Sequence, residues 1–149
     1  MIREAFSDLI TINGIEAMVI YDNRNQIIDS WNTPKYNPAV FVETGETFQH
    51  IFGLLEHLRY DMDELVLPFD RGLVFVRSHA RFYVTVIARL SVEIAHIRLA
   101  MNVAIHDVDT QKKWRRTLKK LPDQKYGNIN SARLDEVEKI MLENMREGK

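Results

Sequence analysis

Five histidines and one cluster of lysine and arginine are the side chains of this 149-residue chain whose types and spacing could do chemistry. His50 and His57 lie seven residues apart in a helical stretch. That is about 10 Å along an axis rising 1.5 Å per residue, too far for the two to chelate one ion as an i, i+4 pair would. Glu93-x-x-His96 has the carboxylate–imidazole spacing of a di-iron bundle, but such a centre needs a second copy on a facing helix and further glutamates, and the chain has one. With no cysteine there is no thiolate zinc site, no cysteine nucleophile and no disulfide framework. The glycine patterns of phosphate loops, dinucleotide folds and nucleophile elbows are missing as well. The sequence therefore nominates no catalytic, cofactor-binding or metal-binding residue, and a non-enzymatic role follows.

The cationic cluster is different. From Met1 to Val108 the chain has 9 basic and 14 acidic residues, a net of −5, whereas Lys112 to Lys125 has 7 basic residues against Asp123 alone, a net of +6. The segment QKKWRRTLKKL is thus a basic feature attached to a mildly acidic domain. Lys112, Lys113, Trp114, Arg115, Arg116, Lys119 and Lys120 are its candidate partner-binding residues. One role is contact with nucleic acid phosphates or an anionic membrane, with Trp114 as stacking or interfacial anchor. In another, Trp114, Leu118 and Leu121 dock on the protein's own domain and leave the cations to an acidic partner.

The elements that must position these residues are legible in the periodicity. Ile2, Ala5, Phe6, Leu9 and Ile10 keep the spacing of an amphipathic helix, and Asn13-Gly14 ends it. From Ile15 the period becomes two, with Ala17, Val19 and Tyr21 on one face and Met18 and Ile20 on the other. Asp22-Asn23-Arg24-Asn25 is a turn into a second strand, Gln26 to Trp31. A helix secure from Glu46 to Tyr60 carries Phe48, Ile51, Phe52, Leu55 and Leu58, and starts either at Asn37-Pro38 or at Thr44-Gly45. Three strands follow, from Glu64 to Phe69, Gly72 to Arg77 and Arg81 to Ala88. Pro68 puts the first at the edge of a sheet, and the branched and aromatic residues of the last place it in the middle. Ser91 is the expected N-cap of a helix bearing Ile94, Ile97, Met101, Ile105 and Val108. Trp114, Leu118 and Leu121 fall out of phase with it, so a joint at Asp107 to Thr110 and a new helix are expected. Leu134, Val137, Met141 and Met145 mark one more. The organisation is a domain over residues 1–108 and a basic, amphipathic helical extension over 109–149. No apolar run approaches the length of a membrane span, and a cytoplasmic location is expected.

In the helix from Glu46 to Tyr60, His50, Gly53, Leu54 and His57 lie opposite the apolar stripe. A glycine inside a helix costs about 1 kcal/mol relative to alanine and often marks the close approach of another backbone. The helix-to-strand entry INGIEAMVIYDN, the strand QIIDSW, the hairpin VFVRSHARFYVTVIAR and the helix start SVEIAHIRLAM together resemble the roadblock/LC7 domain, over about Ala5 to His106. Profilin-like and longin-like domains have related layouts. The resemblance implies an α+β fold with a five-stranded antiparallel sheet in the order 2-1-5-4-3, the first and last helices on one face and the middle helix on the other. It also implies a homodimer through the middle helix and third strand, with His50, Gly53, Leu54, His57, Leu65 and Leu67 at the interface. The implied activity is scaffolding or regulation of a small Ras-like GTPase, without a cofactor. A nucleic-acid or anionic-membrane adaptor acting through Lys112 to Lys125, and a small-molecule sensor, are the alternatives.

Overall fold

The computed structural model describes residues 2–34 and 40–123. Asn37-Pro38 and the stripe from Leu134 to Met145 lie outside those residues. The chain enters through a 3-10 turn, Ile2–Phe6, that runs into helix α1, Ser7–Ile10, and buries Ile2, Phe6 and Leu9. Gly14 then turns with φ +102°, a conformation that a β-carbon would oppose. Its missing β-carbon also leaves room for Val92, whose methyl group fills that space.

Strands β1 (Ile15–Asp22), β2 (Ile27–Asn32), β3 (Glu64–Phe69), β4 (Gly72–Ser78) and β5 (Phe82–Ala88) form one antiparallel sheet in the order β2-β1-β5-β4-β3. The fold is α+β, and the strand order is the one the resemblance implies. Every residue of β1 is buried, because the sheet is covered on both faces. Helix α2 (Val40–His57) covers one face: Phe48 and Phe52 pack with Ala17, Val19, Tyr21, Val76 and Tyr83. On the other face Phe6, Leu9, Met18, Ile20, Phe75, Phe82, Val84 and Val86 join Ile97, Met101, Ala104 and Val108 of helix α3 (Ile94–Thr110). The two alternating sets of β1 therefore serve two separate cores.

One of the two starts expected for α2 is ruled out, and α3 and the joint after it, expected at Asp107 to Thr110, both fall later than expected. Helix α2 passes through Gly45 without a restart. That glycine sits against the Tyr21 ring and the Asn25 side chain at the β1–β2 hairpin, where a β-carbon would collide with both. Helix α3 begins at Ile94, not after Ser91, since Val92 first makes a turn, donating its N–H to the Arg89 carbonyl, and Glu93 occupies the N-cap without a side-chain cap. The joint after α3 falls at Gln111, whose ψ of 133° breaks the helix before α4, Lys112–Lys119.

Candidate functional site: an open sheet edge and a cationic ridge

The two ends of the sheet are treated differently. Beside β2 the N-terminal turn covers part of the edge: Arg3 gives its backbone N–H to Asp29 Oδ2 at 3.0 Å and a guanidinium N–H to the Ser30 carbonyl at 3.0 Å. No described element lies beyond β3. Along β3 the side chains alternate between faces, so Leu65, Leu67 and Phe69 share the α2 side while Glu64 and Val66 turn toward α3. Leu65 is half-buried against the α2-side core, but Leu67 and Phe69 remain 42% and 44% exposed. Tyr60 and Met62, in the link from α2 to β3, are exposed too. A run of exposed apolar side chains beside an open ladder is the arrangement that natural sheets usually avoid unless it is paired.

On α2, His50 and Leu54 are half-buried and His57 is exposed. Gly53, expected on the outward surface, is buried within the single chain. A residue without a side chain lies below the level of its helical neighbours, which is why an outward phase does not make it accessible. Sequence reasoning passed over Phe69, Tyr60 and Met62. Phe69 was within reach, since period two places it on the face of Leu65 and Leu67.

Glu64 anchors the other side of β3. Its carboxylate takes Arg77 at 2.6 Å and Arg98 at 2.6 Å, while Arg77 also donates to Asn102 Oδ1 at 2.6 Å. These bonds tie β3, β4 and α3 together. The hydrogen bond from Arg98 holds the Glu64 carboxyl below its ordinary value, with Arg77 adding to the effect and burial opposing it. Nothing in local periodicity announces this cluster, because its members come from three elements far apart in sequence.

The second surface is α4. Trp114 is only 5% exposed and belongs to the core that α3 covers, with Leu118 packed against the same cluster. Of the two roles expected for Trp114, docking on the protein's own domain is the one it takes, and the free stacking or interfacial anchor is corrected: the indole is spent on the fold. The segment's end is also fastened, Arg81 donating to the Leu121 carbonyl at 3.0 Å and Asn23 to the Pro122 carbonyl at 2.9 Å. Lys112, Lys113, Arg115, Arg116, Lys119 and Lys120 are exposed. Lys113 rests its ammonium 4.8 Å from the centre of the Trp114 ring.

Among the described residues no group of three His, Cys, Asp or Glu side chains is placed to hold a metal ion. His79, a histidine given no role in the sequence, stacks on Phe82 at 4.2 Å and bonds Asp109 at 2.8 Å, which fastens the end of α3 to the β4–β5 turn.

No family model and no curated protein matches the chain by sequence. Its fold does match solved structures. Myxococcus xanthus MglB superimposes with a TM-score of 0.65 at 15% identity, over 78% of this chain and 89% of that one. A roadblock/LC7 domain from Streptomyces avermitilis gives 0.59 at 15% identity, over 71% and 92%. The gliding protein MglB from Thermus thermophilus gives 0.61 at 13% identity, over 79% and 88%. The chain has the roadblock/LC7 fold.

Proposed function

We propose that this protein is a non-enzymatic, cytoplasmic homodimer that regulates or scaffolds a small Ras-like GTPase. The observation that carries the reading is the open β3 edge, set in a roadblock/LC7 fold shared with MglB structures from two organisms. Two β3 strands pairing edge to edge extend one sheet to ten strands, and the same two-fold axis brings the α2 helices together. Leu65, Leu67, Phe69, Tyr60 and Met62 then lose their water, while His50, Leu54 and His57 flank the notch at Gly53. Residues 1–108 are the regulatory domain and 109–149 its extension.

Binding of candidate small Ras-like GTPases, each loaded in turn with GDP and with a non-hydrolysable GTP analogue, tests the reading. Titration calorimetry should show one nucleotide state bound at least tenfold more tightly than the other. Indifference to the nucleotide, or no binding by any Ras-like GTPase of the same cell, would sink it. No helix among the described residues is long and apolar enough to cross a membrane.

A further inference from the structure

Helix α4 breaks three local rules at once. Its first turn holds Lys112 and Lys113 and no acid, although the positive end of a helix dipole favours carboxylates. Lys112 and Arg116, Arg115 and Lys119, and Arg116 and Lys120 are like-charged i, i+4 pairs, each unfavourable to the helix. Among the described residues none of its six cations makes an ion pair. At about 100° per residue the six cations occupy one arc of about 160°, opposite the stripe of Trp114, Thr117 and Leu118. They do so within about 12 Å of helix. Self-repulsion of this kind, held in place by a buried tryptophan and eased at Lys113 by Glu4 and the Trp114 ring, is what a surface made for an external polyanion looks like.

Two features choose among polyanions. With Trp114 in the core the helix has no free ring to stack on bases, and it has no asparagine or glutamine to read adenine, which leaves Arg115 and Arg116 as its only readers of a base edge. On the core that α4 also covers, α3 turns a crest to solvent at Leu99, 63% exposed, and Val103, one turn further on. Exposed aliphatic side chains gain nothing from phosphates in water but partition into the headgroup region of a bilayer. We propose that the outer faces of α3 and α4 form a peripheral binding surface for anionic membrane, the cations drawing the protein to the headgroups and Leu99 and Val103 entering between them. It requires neither the dimer nor the GTPase.

Co-sedimentation of the full chain with vesicles of phosphatidylcholine alone, and of phosphatidylcholine mixed with phosphatidylserine, tests it. The mixed vesicles should bind the protein, and binding should fall steeply as salt rises from ~50 to ~200 mM, while the neutral vesicles leave it in solution. Arg116→Ala with Lys120→Ala should weaken binding about 25-fold, at about fivefold per charge. Leu99→Asn should weaken it several-fold. All three positions are exposed, so the fold survives and its melting temperature serves as the control. Equal partitioning to both vesicle types overturns the proposal, as does wild-type binding by either variant. Tighter binding to duplex DNA than to the anionic vesicles overturns it in favour of nucleic acid.

Discussion

Arg59 stands with φ +65° where α2 ends, a left-handed conformation that costs an L-residue about 1 kcal/mol or more. The cap demands it: Tyr60 donates to the Leu55 carbonyl at 2.8 Å and Arg59 to the Glu56 carbonyl at 2.9 Å, which is possible only if the chain reverses its hand at residue 59. Arg59→Gly should therefore raise the unfolding free energy by about 0.5–1 kcal/mol in urea, part of the gain being lost to the greater freedom of unfolded glycine. Thr85 shows a different local cost. Its hydroxyl is buried in the centre of the sheet without a hydrogen-bond partner among the described residues, so the nearly isosteric Thr85→Val should stabilise the fold by about 1 kcal/mol, read as a higher melting temperature. Glu64 makes stability depend on acid. Because its folded value lies below the ordinary 4.5, its contribution is complete above that pH and disappears as pH falls through the depressed value. The stability difference between wild type and Glu64→Gln should accordingly stay constant from neutrality down to about pH 4.5 and shrink below it. A difference that does not change with acid would mean that the arginines contribute nothing to holding that carboxylate charged.

At the scale of elements, α4 is tied to the domain by one side chain above all. Trp114→Ala should cost about 3–5 kcal/mol, as removal of a large buried aromatic does, and circular dichroism should report loss of the α4 turns before the sheet melts. The phase shift from Val108 to Trp114 makes both the second helix and its joint readable from sequence, and Pro68 alone is enough to place β3 at the edge. Such features are local: a change of period, or a residue that cannot donate a hydrogen bond. What stayed hidden was set by neighbours distant in sequence. Ser91 looks like an N-cap, yet the Val92 side chain fits against Gly14, which holds the preceding turn and delays α3 to Ile94. The Gly53 phase points outward along α2, yet the residue is buried. The clasp of Glu64 by Arg77 and Arg98 has no one-dimensional signature, because each residue alone reads as an ordinary surface charge.

For the whole molecule, the proposed dimer makes a sharp expectation: light scattering should return twice 17.5 kDa, and Leu67→Arg should halve that mass. Position 67 is exposed in the single chain, so the substitution costs the monomer little, and a variant that remains dimeric would remove β3 from the interface. The Arg3 contacts at the opposite border carry a consequence for how many copies can join. A sheet open at both borders polymerises without limit, each arriving strand offering the next a fresh template. With Arg3 laid over Asp29 and Ser30, the β2 border is a poorer template than the β3 border, so growth that begins at β3 uses up its own starting point with the first addition. In the proposed dimer the N-terminal turn would act as a chain terminator, letting strand pairing count to two and no further.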